Sequence, residues 1–397
     1  MKRATRILHD PYTPPAGFDA PQPGVYKAST VFFPNTQAMR ERNWMDKSGY
    51  TYGLHGTPTT FTLEERISNL EGGTYCTLAP SGLAAIVMVD LAFLKAGDHL
   101  LLPDNVYGPS LVTAKGLLRD LGVSYSTYDP MQPASLRAAL TDKTRLVWLE
   151  APGSVTMEFP PLDELVMIAK EAGVVTALDN TWAAGLALCG FDLGDDGHGN
   201  ALGVDVVMQA LTKYPSGGGD VLMGSIVTRD ADLHAQIQRV HMYTGIGVAA
   251  NDAELLLRSL PSMTVRYQTQ FEQALALAQW CENRAEFSAV LYPTLEKSPG
   301  HVHWKRLCNG TGAGLFSVLV DARYSAQQVD RFVDALKLFK IGYSWGGPVS
   351  LVVPYDLKEM RAKPAWQGTL VRFSLGFEAL EDLQADIEQA LKTLVSP

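Results

Sequence analysis

The sequence predicts an α/β protein, with a large domain on a mostly parallel sheet and a smaller C-terminal α+β domain. Three observations carry that expectation. At 397 residues the chain is longer than one hydrophobic core usually organises. From about Thr60 to Ala250, short apolar runs alternate with amphipathic segments, the rhythm of successive strand–helix–strand units. Beyond them a long helical pattern intervenes, and mixed strands and helices follow.

Taken in chain order, the stretch up to about Met45 is rich in Pro, Gly and Thr (PYTPPAGFDAPQPG) and keeps neither a helical nor a strand period. It predicts an extended arm. Tyr26, Val31, Phe32 and Phe33 suit burial against the body or a neighbouring subunit better than free solution, so a homo-oligomer is expected. HLLLPD, RLVWLEAPG, VVTALDNT, VDVVMQALTKY and MGSIVTRD are then buried strands. Ligands gather at the carboxyl ends of strands in open α/β sheets, which gives those ends most interest. NDAELLLRSLPSMTVRYQTQFEQALALAQWCENR has apolar residues at three and four spacing and predicts one long helix. GAGLFSVLVDA and GTLVRFSLGFE predict strands, and SAQQVDRFVDALKLF and LEDLQADIEQALKTLV helices, of the smaller domain. The expected division is 1–58 arm, 59–250 large domain and 251–397 small domain.

Composition narrows the function. A net charge of −9 argues against general affinity for nucleic acid or anionic membrane, which both require basic surface. Four scattered cysteines without CxxC pairing predict a reducing compartment. No charged-then-apolar leader opens the chain and no apolar run reaches membrane-spanning length, so a cytoplasmic protein is expected. The eight histidines form no HExxH, and no metal site is predicted. There is no GxSxG elbow, Walker loop or GxGxxG after a strand.

Several residues at strand ends could carry chemistry. Lys213 closes VDVVMQALTKY just before PSGGGD, where partial desolvation would make its amine a nucleophile for an aldehyde. An isolated lysine there is usually only a surface charge. Asp179 ends GVVTALD and could hold a protonated pyridine nitrogen, or simply cap a turn. Ser81, Gly82 and Leu83 open an apolar helix whose unpaired N–H groups could bind phosphate, although such helix starts are common. Tyr107 in PDNVYGPS could stack on a flat cofactor or serve as acid or base, or merely pack. Arg372 lies inside an apolar strand and needs a carboxylate, a substrate's or the protein's own.

In combination the segments YGLHGTPT, LEGG, APSGLAA, DNVYGPS, LEAPGSVTME, ALDNTWAAG, QALTKY, YSWGG and TLVRFSLGFE resemble the Cys/Met-metabolism family of fold-type I pyridoxal-phosphate enzymes. EAPGSVTME and GYSWGG look more like its β-lyases than its γ-synthases or γ-lyases. The resemblance spans nearly the whole chain. It implies a seven-stranded, mostly parallel sheet, pyridoxal 5'-phosphate as cofactor, and a small amino-acid substrate. The implied reaction is β-elimination from cystathionine or a related S-substituted cysteine, giving a thiol, pyruvate and ammonia. Lys213 would carry the cofactor and act as base. Asp179 would partner the pyridine nitrogen, Tyr107 would stack on the ring, and Gly82, Leu83 and Thr212 would bind the phosphate. Tyr52 would reach in from a neighbouring subunit, and Ser154 would lie near the cofactor's phenolic oxygen. Arg372, Ser344, Trp345 and Tyr52 would hold the substrate. The implied assembly is a tetramer, a dimer of dimers.

Two departures stand out. Where the family usually has an arginine two positions after the tyrosine, this chain has Leu54, with His55 next door. The polar stretch that often follows the lysine reads Gly217, Gly218, Gly219, Asp220, and the serine usually three before the lysine is Ala210. The alternatives are a γ-lyase or γ-synthase of the same family, or a noncatalytic binding protein on this scaffold.

Overall fold

The computed structural model describes residues 2–9, 16–18, 20–45, 47, 49–360 and 366–395. Its central sheet has seven strands: β1 (Tyr75–Ala79), β2 (His99–Pro103), β3 (Ser124–Tyr128), β4 (Thr144–Glu150), β5 (Val175–Asp179), β6 (Val206–Gln209) and β7 (Gly224–Thr228). They lie in the order β1-β7-β6-β5-β4-β2-β3. β7 is antiparallel to both neighbours, and all other pairs are parallel. The carboxyl ends of β1, β2, β4, β5 and β6 therefore emerge on one edge.

The strands are apolar because both faces are covered. Leu100, Leu102, Trp148, Ala177, Val206, Met208 and Ile226 belong to one core cluster, and Leu101, Val147, Leu149, Leu178, Val207 and Val227 to the other. This alternation is the two-residue period of a strand. The edge strand β3, SYSTY, is largely exposed, and its polar composition conceals it from a hydrophobic reading.

Two helices frame the site. In α1 (Pro58–Glu71), Thr57 and Thr60 form a capping box and Pro58 opens the first turn. In α2 (Gly82–Phe93), Ser81 caps the N-terminus by accepting the Ala84 N–H at 3.0 Å. Asp90 of α2 is buried and accepts from Trp148 Nε1 at 2.8 Å. Helix α3 (Ala231–Thr244) then leads to α4 (Ala250–Cys281), 32 residues long with Pro261 inside it.

The second sheet has five strands: β8 (Phe287–Leu291), β9 (Leu315–Val320), β10 (Lys340–Ile341), β11 (Leu351–Asp356) and β12 (Thr369–Ser374), ordered β8-β9-β12-β11-β10. α4 binds this sheet to the body, as Gln270 Nε2 donates to Gly347 O at 2.8 Å and Leu375 O at 2.9 Å. From the large sheet, Tyr214 Oη accepts the Gly314 N–H at 2.8 Å.

The arm differs from a wholly extended segment. Arg3–Leu8 and Thr36–Arg40 are helical, and the first docks through Ile7, which is 2% exposed. Ile7 anchors a segment whose sequence shows no sustained period. The proline-rich residues 10–15 lie outside the described ones. Tyr26 N donates to Thr59 Oγ1 at 2.7 Å, Gly53 N to Ser29 O at 2.8 Å, and Lys47 pairs with Glu64 at 2.6 Å. Phe32 remains 93% exposed. Among the described residues no helix is long and apolar enough to cross a membrane and no metal-binding cluster occurs.

Candidate active site

Lys213 lies in the turn after β6, where its N–H donates to Ala210 O at 3.1 Å and its carbonyl accepts from Gly217 N at 3.0 Å. Its Nζ donates to Ser344 Oγ at 2.8 Å and stands 5.4 Å from the Trp345 ring centroid. Burial, and then the Arg372 charge, lower its pKa to about 8 against the opposing pull of Asp179. The amine is thus far more available as a base or nucleophile than an ordinary lysine. Ser344 adopts a φ of 96°, a left-handed backbone that a serine rarely takes.

Asp179 ends β5, and its Oδ1 accepts the Thr181 N–H at 3.0 Å. Burial pushes this carboxyl up, while Thr181 and Lys213 favour the charged form. Thr181 Oγ1 also accepts the Ala210 N–H at 2.9 Å, tying the aspartate strand to the lysine turn. Tyr107, which is 41% exposed, precedes the helix Gly108–Thr113. Its phenol is raised by burial and by Asp179 and Glu150, against the pull of Arg372.

Arg372 reaches the same place from the other sheet. It is 8% exposed, its Nη2 donates to Ser344 O at 3.4 Å, and its Cζ stands 5.4 Å from the Tyr355 ring centroid. Burial lowers its pKa, and the groups that oppose this are Tyr355, Tyr107 and Tyr343 rather than a carboxylate. A buried guanidinium surrounded by phenols is a fitting receptor for an incoming carboxylate.

At the opposite end, α2 points its N-terminus toward the lysine turn. Gly82 permits the approach, since a Cβ there would come within 2.6 Å of Ala210 Cβ. Gly82 and Leu83 carry first-turn N–H groups, which have no intrahelical acceptors. An amine, a half-buried carboxylate, an aromatic ring and a helix N-terminus therefore converge, and these groups fit a flat pyridine aldehyde bearing a phosphate.

The remaining predicted residues stand as follows. Thr212 Oγ1 is engaged by backbone, donating to Met223 O at 3.3 Å and accepting from Met223 N at 3.1 Å. Ser154 lies in the loop after β4, its N–H donating to Asn105 O at 2.9 Å. Tyr52 is not among the partners of Lys213. It lines a separate cavity of about 560 Å³ with Phe33, Met39, Arg42, Trp44 and His55, and its hydroxyl accepts from Ser29 Oγ at 3.1 Å. Leu54 packs beside Gly247, at which a Cβ would come within 2.7 Å of Leu54 Cδ1. Reading the sequence missed Glu150, which ends β4 level with Asp179. The signal was available: a carboxylate closes RLVWLE on the strand beside the aspartate's.

A family model described as "Cys/Met metabolism PLP-dependent enzyme" matches residues 4–392. "Cystathionine beta-lyase" of Bordetella avium is 36% identical over 387 residues, 96% of this chain and 94% of that protein. "L-alanine/L-glutamate racemase" of Wolbachia pipientis wMel is 33% identical over 385 residues, 94% of this chain and 92% of that protein. Among solved structures, cystathionine gamma synthase from Xanthomonas oryzae pv. oryzae, in complex with aminoacrylate and cysteine, superposes with a TM-score of 0.87 at 28% identity, covering 99% of this chain and 98% of that one.

Proposed function

The chain belongs to the Cys/Met metabolism PLP-dependent enzymes, and from that premise we propose that it is a carbon–sulfur β-lyase acting on L-cystathionine or a related S-substituted cysteine. One observation carries the reading. Lys213 Nζ, hydrogen-bonded to Ser344 Oγ at 2.8 Å, stands in the field of both Asp179 and Arg372. The segments EAPGSVTME and GYSWGG and the Bordetella avium relative support the β-lyase branch.

Lys213, Asp179, Tyr107 and the start of α2 at Gly82 and Leu83 would hold pyridoxal 5'-phosphate, with Thr212, Ser154 and a neighbouring subunit's Tyr52 as further contacts. When bound, the cofactor supplies an electron sink next to the substrate's Cα. Arg372, with Ser344 and Trp345, binds the substrate and so decides which Cα bond is aligned for cleavage. Lys213 Nζ takes the Cα proton, for which its lowered pKa suits it. Asp179 keeps a proton at the pyridine nitrogen. Lys213 or Tyr107 Oη protonates the departing thiolate, and the three-carbon unsaturated amino acid that remains is hydrolysed by water, after release, to pyruvate and ammonia.

The test is the keto acid formed from L-cystathionine by protein reconstituted with pyridoxal 5'-phosphate, with Lys213→Ala as control. Pyruvate and homocysteine, both lost in the variant, are expected. The Xanthomonas neighbour motivates a γ-lyase or γ-synthase reading, for which 2-oxobutyrate would appear. The Wolbachia relative motivates racemisation, which would yield a D-amino acid and no keto acid. No visible cofactor band in protein supplied with pyridoxal 5'-phosphate would point to a noncatalytic binding protein.

The same proposal includes the divisions 1–58, 59–250 and 251–397, and a homo-oligomer that covers the arm, assembled as a tetramer. It also places the protein in the cytoplasm, supported by Cys76, Cys189, Cys281 and Cys308, none of which forms a disulfide among the described residues.

A further inference from the structure

Glu150 has no part in the chemistry above, yet it stands at the centre of the site. Its Oε2 accepts the Tyr107 N–H at 2.7 Å. Tyr107 immediately precedes the helix Gly108–Thr113, and N–H groups at a helix start have no intrahelical acceptor. The loop around Tyr107 is interlocked with the loop after β4. Asn105 Nδ2 donates to Glu158 Oε2 at 2.9 Å, Thr156 Oγ1 donates to the same oxygen at 3.0 Å, and Ser154 N donates to Asn105 O at 2.9 Å. The far side of that second loop is fixed to the C-terminal sheet, where Ser317 Oγ donates to Val155 O at 2.7 Å. Ser317 pairs with Arg372 in the register of β9 and β12. Glu150 thus closes a chain of hydrogen bonds and backbone pairing that joins the arginine strand to Tyr107.

Burial, and secondarily the charge of Asp179, hold Glu150 well above the usual carboxylate range. Of two carboxyl groups on adjacent strands, both pushed up by burial, Glu150 is shifted the further, while Thr181 and Lys213 favour the charged form of Asp179.

We propose that Glu150 is a positioning residue of the active site, which by accepting the Tyr107 N–H sets the tyrosine ring over the place where Asp179 and Lys213 converge. This inference rests on the proposed cofactor site. Its direct readout is cofactor affinity, measured by titrating apo-protein with pyridoxal 5'-phosphate and following the visible band of the lysine-bound form.

Glu150→Ala should weaken affinity about tenfold, the loss of one hydrogen bond to a half-buried acceptor. Glu150→Gln, whose amide oxygen can still accept the Tyr107 N–H, should recover most of that loss. Combined with Tyr107→Ala, Glu150→Ala should add less than about threefold, because residues that act as one unit are not additive. Parental affinity in Glu150→Ala, equal weakness in Glu150→Gln, or losses that multiply in the double variant would each overturn the proposal. If Glu150→Ala does not fold, Glu150→Asp replaces it, with a side chain too short to reach the Tyr107 N–H. Weakened binding in Glu150→Asp is then expected, and parental binding refutes the role. Should the parent chain take up no cofactor, the proposed function fails instead, a different outcome from a parent and a variant that bind alike.

Discussion

Lys213 meets two opposing demands, burial that discharges its amine and a nearby carboxylate that would charge it, and burial prevails. Capture of pyridoxal 5'-phosphate by the apo-protein should therefore accelerate as pH rises through about 8 and then level off, in stopped-flow absorbance. Stability follows the same linkage. With a folded pKa below the unfolded one, the folded chain binds fewer protons between about 8 and the ordinary lysine value, so stability rises with pH across that window. Lys213→Met apo-protein should lack this rise in urea unfolding midpoints. For Arg372→Lys we expect KM for the amino acid to rise at least about tenfold, since a forked guanidinium contact is replaced by a point charge. Residues of this kind were legible because a charged group ending or interrupting an apolar run is conspicuous. Glu150 ends an apolar run too, but its partner is a backbone N–H of a distant loop, which nothing local in EAPGSVTME announces, so its position was legible and its role was not.

Elements place these groups to within a bond length. A methyl on Gly82 would displace α2 from the lysine turn, so Gly82→Ala should weaken cofactor binding, and Ala210→Gly in the same chain should restore it by removing the opposing Cβ. Both affinities follow from the absorbance titration. Asp90 gives α2 a second sensitivity. Its pKa is raised to about 7 by burial, partly offset by Trp148. The folded chain then holds a proton that the unfolded chain releases above the ordinary aspartate range. Stability contributed there is present at low pH and lost as pH rises through about 7. Asp90→Asn should flatten the fall in melting temperature between about pH 4 and 7, as scanning calorimetry would show. At this scale the buried strands were readable, as both faces of a parallel sheet demand apolar residues. β3 was not, because an edge strand can afford SYSTY, and neither was Arg3–Leu8, whose helix depends on tertiary docking of Ile7.

Across the whole molecule, the change from alternating strand and helix to one long helix was plain in the sequence, and the structure puts a sheet on each side of it. What lies on the arm was not legible. Phe32 at 93% exposure and Tyr52 at 46% are large rings left uncovered in a single chain, as expected of a surface that a second copy covers. Phe32→Asp should shift the protein toward monomers in sedimentation velocity. The cofactor affinity should fall with it if Tyr52 serves a neighbouring site. Unchanged sedimentation would remove the arm from the assembly.

Ser344 carries a consequence for the protein's history. Its φ of 96° is one that glycine adopts freely and serine does not, while its hydroxyl is the acceptor for Lys213 Nζ. A screen for heat resistance alone would tend to select Ser344→Gly, and a screen for turnover would reject it. Serine at this position exchanges backbone ease for the hydroxyl that meets Lys213 Nζ.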